Sequence, residues 1–282
     1  MSVAEPTAPV SRRVHHITPT PSQREFVADL WQARDLIQVL SLRDIKIRYT
    51  QTALGAGWAI IQPLLFMGVF AAVVSRVASV ETAGIAYPLF ALSGLVPWVF
   101  LSNAVPRAAD SVVSSSNMVG KVWFPRLALP LAAVLAWLPD MVVATVLLGC
   151  GMAIGTTAPS PAIVLLPLVA AWAVLVALGL GSWLSALNVR FRDIRNVVPF
   201  LVQVWLFATP VAYPSSVATG WPRMLFGLNP ASGVVESFRW CVFGGAGPSA
   251  LLLLPSVAST LVILAGGIRF FTAVEHKFAD VI

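Results

Sequence analysis

The sequence predicts an all-α membrane protein with six transmembrane helices, an N-terminal amphipathic interface helix and short outer-side helices that are re-entrant or form a gate. The first observation is composition: of 282 residues, 58% are hydrophobic and only 11% are charged, whereas a soluble domain carries about a quarter charged residues. The second is a series of long charge-free runs, and the third is the one-sided distribution of basic residues between them. Together they indicate a multi-pass membrane protein.

Charge-free runs set the number of spans, because a helix needs about 20 apolar residues to cross the hydrocarbon. The longest run, Met141–Val189, has 49 residues and would extend about 73 Å as one helix. It must therefore turn, and Gly155–Pro161 (GTTAPSP) is the segment that favours a turn. We predict spans at about 56–77, 86–106, 127–153, 162–189, 197–213 and 248–270.

Basic residues define the orientation. With the N-terminus inside, the inner segments carry 15 Lys and Arg residues and the outer segments carry 3. The positive-inside rule then places both termini in the cytoplasm. We expect the membrane to be a bacterial inner (plasma) membrane, because the Arg-rich composition is typical of GC-rich bacteria. The formal charge of +6 thus reflects topology, and we expect no nucleic-acid partner.

The chain before the first span contains two predicted parts. Residues 1–22, rich in Pro, Ser and Thr, are predicted to be a disordered cytoplasmic tail, and residues 23–282 form a single transmembrane domain. Apolar residues then recur at helical spacing, at Phe26, Leu30, Ala33, Ile37 and Leu40. This pattern predicts an amphipathic helix in the headgroup layer, continued by Leu42–Tyr49. The helix either only anchors the chain at the membrane, or it anchors the chain and also forms a rim that receives an anionic lipid headgroup.

The stretch from Pro214 to Gly247 is apolar but broken by proline and glycine, so each fragment is too short to span. We predict two short re-entrant or interfacial helices on the outer side, the alternative being a helical cap that lies flat. Glu236 and Arg239 are one helical turn apart there, so they can pair with each other.

The segment Asp110–Arg126 is the most polar inner loop, and its Ser and Asn residues suit docking of a cytoplasmic partner. Gly120 and Lys121 do not form a phosphate-binding loop, because Val122 stands where Ser or Thr is needed. The two cysteines, Cys150 and Cys241, have no metal-binding or redox spacing, and we interpret them as small packing residues.

Asp140 lies inside the third predicted span. An intramembrane carboxylate marks a functional site by default, facing the bundle interior or a wet cavity. Alternatively it is protonated, or bonded to a neighbouring helix as a structural link. The sequence leaves both interpretations open.

Four stretches carry a family resemblance: Leu42–Leu64, Lys121–Ala132, Asn188–Pro214 and Leu228–Trp240. The third is the most specific, with an Arg-Phe-Arg-Asp turn leading into a span that closes with Thr-Pro-Val-Ala-Tyr-Pro. In order and spacing they resemble the ABC-2 family of transport permeases, in the branch that exports lipid-linked polysaccharides such as O-antigen, teichoic acid and mycobacterial galactan. The similarity covers nearly all residues from about 30 to the end.

This resemblance implies a half-transporter without enzymatic activity of its own. Two copies would pair along a central path, and two separate ATPase subunits would dock below, so ATP and Mg would bind to the partner and this chain would need no cofactor. The resemblance places the coupling element at Asp110–Lys121, and we take its contact residues as Ser114, Ser115, Asn117, Met118 and Lys121. The outer gate would include Glu236 and Arg239.

The implied cargo is a polyprenyl-pyrophosphate-linked polysaccharide that moves from the cytoplasmic to the outer side. Cationic side chains at the membrane boundary would meet the pyrophosphate, and we assign that contact to Arg43, Lys46 and Arg48. Aromatic faces can bind sugars weakly along a path; the candidates are Phe66, Phe70, Trp98 and Phe100, with Asp140 beside them. An Arg-rich, Lys-poor composition is typical of GC-rich bacteria and favours a cell-wall galactan.

Three alternatives are weaker. The first is an ABC-2 exporter of a drug or small lipid. A membrane enzyme acting on polyprenyl phosphate would need clustered carboxylates for Mg²⁺, whereas the inner loops offer only the distant Asp110 and Asp193. A channel or secondary transporter would show more intramembrane charges or an internal repeat.

Overall fold

The computed structural model describes residues 29–50, 55–77, 84–120, 124–215 and 222–278, and every regular element in these ranges is a helix. The predicted disordered tail (1–22), Phe26 and Lys121 lie outside them. In chain order the helices are α1 (Arg34–Thr50), α2 (Trp58–Val77), α3 (Tyr87–Ser114), α4 (Ser116–Val119), α5 (Ala128–Leu135), α6 (Leu138–Ile154), α7 (Leu166–Arg190), α8 (Ile194–Phe207), α9 (Pro222–Leu228), α10 (Pro230–Phe243) and α11 (Ala250–Val274). Short 3₁₀ turns occur at Gly55–Gly57, Pro161–Leu165 and Glu275–Lys277.

In this described part of the chain, four helical segments are long and apolar enough to cross a membrane: Tyr87–Ser114, Ala128–Ile154, Pro161–Arg190 and Ala250–Val274. They coincide with four of the six predicted spans. The other two predicted spans correspond to shorter apolar segments, Trp58–Ala72 and Ile194–Phe207. The predicted all-α architecture is therefore confirmed for the described residues, four segments of which have spanning length, and the count of six spans stays a prediction.

Helix α3 lies at the centre of the bundle. It packs most extensively against α7 and also contacts α2, α5, α6, α8 and α10. Small residues allow these two helices to approach closely: a Cβ added at Gly181 of α7 would lie 2.5 Å from the Ala108 Cβ of α3. Such small-residue contacts hold membrane helices together by packing, because lipid is as apolar as the helix surface. Large apolar side chains remain exposed on the outside of the bundle, as on α8 and α11.

The third predicted span bends in the middle. Helix α5 ends at Leu135, Ala136 and Trp137 form a turn, and α6 begins at Leu138. Pro139 lacks an N–H and its ring crowds the preceding helical turn, so it starts a new helix more readily than it continues one. Asp140 consequently lies in the first turn of α6.

Helix α1 follows the predicted amphipathic pattern and continues through Leu42–Tyr49. Ile37 and Leu40 are buried in an apolar cluster that includes Ala128 and Ala132 of α5. The Ser41 hydroxyl donates to the Ala132 carbonyl over 3.1 Å. The predicted helix is thus present, while its location in the headgroup layer stays a prediction.

One boundary differs from prediction. Helix α3 continues past 106 to Ser114, so the first part of the predicted polar loop is helical. Asp110 and Ser111 are buried there. Asn188 of α7 donates its side-chain amide to the Ala109 carbonyl over 3.0 Å, and Arg195 of α8 lies 3.5 Å from the Asp110 carboxylate. Arg195 thus supplies an opposite charge to Asp110, and the Ser111 hydroxyl donates to the Ala108 carbonyl over 2.7 Å within its own helix.

Candidate functional site

A charged site joins the end of α1 to the start of α6. The Arg48 guanidinium contacts the Asp140 carboxylate, and the Tyr49 hydroxyl donates to the same carboxylate. Arg48 Nη2 also donates to the Ala136 carbonyl over 2.5 Å, and its guanidinium lies 3.6 Å from the Trp137 ring centroid. We refer to Arg48, Tyr49, Trp137 and Asp140 as the Arg48 site.

Both charges of the Arg48 site are largely withdrawn from solvent, with 22% of the Arg48 side chain and 14% of the Asp140 side chain exposed. Burial lowers the pKa of Arg48 from its usual value, and the nearby Asp140 carboxylate opposes that effect. The pKa of an arginine guanidinium lies so far above neutral pH that the group stays charged there. The site therefore presents a positioned cation with an internal counter-anion.

A pocket of about 140 Å³ opens beside these residues. Its polar lining comes from Arg48, Tyr49, Asp140 and Gln62. Aromatic side chains, among them Trp58 and Phe100, form much of the remaining wall. An apolar cleft with a few convergent polar groups is the usual form of a small-ligand site. This one has room for a small charged or polar group.

The three predicted pyrophosphate residues do not form one cluster. Arg48 lines the pocket, whereas Arg43 and Lys46 are exposed on α1. Arg43 pairs with Asp44 at 2.9 Å, and Asp44 also lies 3.8 Å from Arg107 of α3. These exposed side chains form a mainly cationic margin next to the site. Asp140, assigned by sequence to the translocation path, contacts Arg48, and its place on a path stays a prediction.

The predicted coupling residues surround the end of α3. Ser114 is its last residue, Ser115 follows it, and Asn117 and Met118 belong to α4. Ser114 and Asn117 are exposed, whereas Met118 packs against the apolar cluster that contains α1. The arrangement leaves polar groups accessible and connects them to the central helix, while Lys121 lies outside the described residues.

The predicted pair of the outer gate is present in α10. Arg239 Nη1 and Glu236 Oε1 are 2.9 Å apart, and Arg239 is only 7% exposed. Arg239 Nη2 donates to the Val211 carbonyl over 2.9 Å, and the guanidinium lies 3.9 Å from the Phe90 ring centroid. The pair thus fastens α10 to α3 and to the turn after α8; gating itself stays a prediction.

Asn229 is a connecting residue that sequence reasoning missed. Its Oδ1 accepts from the Ala231 N–H over 3.1 Å and from the Trp205 indole N–H over 2.9 Å. Its Nδ2 donates to the Thr209 hydroxyl over 2.9 Å. An Asn followed by Pro is a recognisable signal for the start of a helix. That signal could have located the cap, though not its partners on α8.

The four aromatic residues predicted along a sugar path lie in different environments. Trp98 is buried, with its ring centroid 5.4 Å from that of Trp205 in an edge-to-face contact. Phe100 is buried at the wall of the pocket. Phe70 packs against the core, and Phe66 is 39% exposed. No single surface of one chain unites them, so their role on a path stays a prediction.

The described residues contain no group of three or more His, Cys, Asp or Glu side chains placed to hold a metal ion. Cys150 is exposed on α6 and Cys241 is buried in α10, both as free thiols. The buried position of Cys241 agrees with a packing role.

Comparison with known proteins gives a consistent result. Residues 35–243 match the family described as ABC-2 type transporter. The chain is 31% identical over 258 residues to the O-antigen export system permease protein RfbA of Myxococcus xanthus, covering 90% of this chain and 98% of that protein. A protein of the same name from Klebsiella pneumoniae is 26% identical over 88% of this chain and 95% of its own length. The polysialic acid transport protein KpsM of Escherichia coli is 24% identical, over 85% and 93% respectively.

Proposed function

We propose that this chain, which belongs to the ABC-2 type transporter family, is the membrane permease subunit of an ATP-driven polysaccharide exporter. The observation that carries the proposal is the match over nearly the full length of a protein named as an O-antigen export permease. Relatives named for O-antigen and for polysialic acid both handle polysaccharide. This shared cargo class favours polysaccharide over the alternative of a drug or small lipid.

The proposed topology is six spans with both termini in the cytoplasm. The distribution of 15 basic residues on one side and 3 on the other supports this orientation. Four described segments already have spanning length. Two copies of the chain would enclose the path, and an ABC ATPase would bind on the cytoplasmic side, where Ser114 and Asn117 are exposed.

The proposed cargo is a polysaccharide linked to a polyprenyl pyrophosphate, with cell-wall galactan as the favoured glycan. A diphosphate needs cationic and hydrogen-bonding partners where it leaves the headgroup layer. Arg48 at the pocket, with Arg43 and Lys46 on the adjoining exposed face of α1, can supply them. The aromatic wall of the pocket is suited to the first sugar.

The proposed coupling runs from the ATPase through α4 to α3. Helix α3 is the central helix of the bundle and is continuous from Tyr87 to Ser114. A push on its inner end would therefore reach α7 and α10 through direct packing. The catalytic work lies with the ATPase, so this subunit would be a transport protein and not an enzyme.

Co-purification of the chain with an ABC ATPase from the same source tests the proposal. We expect a complex with two copies of each subunit in lipid nanodiscs. Asn117→Arg should weaken this complex, because it introduces a bulky charge at the proposed docking surface. Ala158→Arg, at an exposed position in the turn before α7, is the matched control and should not. Equal recovery of both variants would contradict docking at α4, and absence of any ATPase partner would contradict the proposal.

A further inference from the structure

We propose that Asp140 is an internal counter-anion that makes the Arg48 site selective for multiply charged phosphate groups. The monoanionic headgroups of bulk phospholipids would not displace its carboxylate, whereas a diphosphate would. The inference rests on the proposed function, because it states how that exporter recognises a diphosphate-linked lipid within a bilayer rich in other anions.

The geometry holds Arg48 in place independently of Asp140. The Ala136 carbonyl accepts one N–H of the guanidinium, and the Trp137 ring lies against its face. Both partners belong to the bend between α5 and α6. The cation therefore stays positioned in the pocket when the carboxylate moves away, and its remaining donors can take phosphate oxygens in the paired geometry that arginine favours.

Asp140 also has a second partner. The Tyr49 hydroxyl donates to the carboxylate atom Oδ1, while Arg48 contacts Oδ2. After exchange the carboxylate would keep the Tyr49 hydrogen bond, so it would not become an unpaired buried charge, which is a costly state. The Asp140 carboxylate therefore has a hydrogen-bond partner both when Arg48 binds it and when Arg48 binds a diphosphate.

Competition explains the selectivity. A carboxylate tethered within contact distance acts as a ligand at an effective concentration of mM or more. A headgroup with one negative charge only replaces one monoanion by another and has no advantage over the tethered group. A diphosphate adds further charge and more acceptor oxygens, and Gln62 on the pocket wall offers them a further donor. Asp140 thereby disfavours binding of the abundant monoanionic phospholipid headgroups at Arg48.

A purely structural ion pair is the competing explanation. In that case Arg48 and Asp140 only fasten α1 to α6, and Asp140→Asn would lower stability without changing ligand preference. Selectivity among anionic lipids is therefore the readout that separates the two explanations, since a fastening role would not alter it.

The experiment measures binding of phosphatidylglycerol or of a polyprenyl diphosphate, each added as the same small fraction of the lipid, to the purified full-length protein embedded in phosphatidylcholine nanodiscs. We expect the unmodified protein to bind the diphosphate about tenfold more tightly than phosphatidylglycerol. Asp140→Asn should bind phosphatidylglycerol more tightly and reduce the preference to about threefold or less. Asp193→Asn removes an exposed carboxylate at the turn between α7 and α8 and should leave the preference unchanged.

A second variant guards against misfolding of Asp140→Asn. Tyr49→Phe removes the alternative partner of the carboxylate, so exchange becomes harder and diphosphate binding should weaken several-fold with phosphatidylglycerol binding unchanged. Diphosphate binding unaltered by Tyr49→Phe, or a preference unaltered by Asp140→Asn, would overturn the proposed role of Asp140 while leaving the substrate intact. An unmodified protein that never prefers the diphosphate would overturn both this inference and the proposed cargo.

Discussion

Removal of Arg239 should loosen the attachment of α10 to the turn after α8. In Arg239→Leu, Glu236 keeps only the backbone N–H of Ser215, at 3.3 Å, as a hydrogen-bond partner. A buried ion pair that loses one member costs about 3–5 kcal/mol, which is an upper bound here because the remaining Glu236 side chain is 16% exposed. The Val211 carbonyl also loses its charged donor, which adds about 1–3 kcal/mol. The expected total is therefore at most about 8 kcal/mol.

The double variant Arg239→Leu/Glu236→Leu separates these contributions. With both charges replaced, no stranded carboxylate remains, and the cost should fall to the about 1–3 kcal/mol of the unpaired carbonyl. Thermal unfolding in lipid nanodiscs, followed by tryptophan fluorescence, should therefore give a higher midpoint for the double variant than for Arg239→Leu. Arg34→Leu is the matched control, because Arg34 and Asp35 form an ion pair at 3.5 Å that is exposed to solvent and worth about 0–1 kcal/mol.

The reasoning would be refuted if the double variant unfolded at or below the midpoint of Arg239→Leu. That result would mean that the two losses add independently and that the guanidinium does not compensate the buried carboxylate. An Arg239→Leu midpoint no lower than that of Arg34→Leu would equally contradict the buried position of the pair.

Burial raises the pKa of Glu275 to about 7 from 4.5, so its contribution to stability is complete below pH 4.5 and lost as pH rises to 7. Midpoints measured across that range should decline in the unmodified protein more than in Glu275→Gln, and parallel curves would contradict this assignment. In Gly181→Ala the new Cβ would lie 2.5 Å from the Cβ of Ala108. Overpacking lowers the free energy of unfolding by about 1–3 kcal/mol. This loss offsets the gain of about 1 kcal/mol that alanine brings through its higher helix propensity. Gly149→Ala meets no atom within 4 Å and should be the more stable variant, so the reverse order would refute the close α3–α7 contact.

Local patterns in the sequence predicted most of the helices. Three features lie within a few residues of their predicted positions: the start of the central span at Tyr87, the break between helices at Gly155–Pro161, and the last span. The Glu236–Arg239 pair was predictable because both residues lie on one helix, one turn apart. These features depend on short-range spacing, which a sequence states directly.

Features that depend on packing were not predictable in this way. Arg48 and Asp140 are separated by 92 residues along the chain, and only the bend at Ala136–Trp137 brings the carboxylate to α1. The sequence predicts a loop after residue 106 because the charge-free run ends at Pro106, yet α3 is helical to Ser114 and is contacted there by Asn188 and Arg195. In each case a partner on another helix decides the structure, and one sequence does not identify that partner.

The Arg48 site bears on both interpretations of Asp140, whose function stays a prediction. The carboxylate is bonded to a neighbouring helix, as the structural interpretation expected. It also faces a pocket with polar lining, as the functional interpretation expected. Asp140 therefore both links two helices and borders a pocket of about 140 Å³.

Transport itself is the most direct test of the central claim. The purified complex of this chain with its ATPase would be reconstituted in proteoliposomes that carry a polyprenyl-diphosphate-linked polysaccharide, with a lectin or glycosidase outside to detect the glycan that crosses. We predict ATP-dependent appearance of the glycan on the far side, which a hydrolysis-deficient ATPase abolishes. Glycan that crosses at the same rate without ATP, or an active complex that never moves it, would contradict the account.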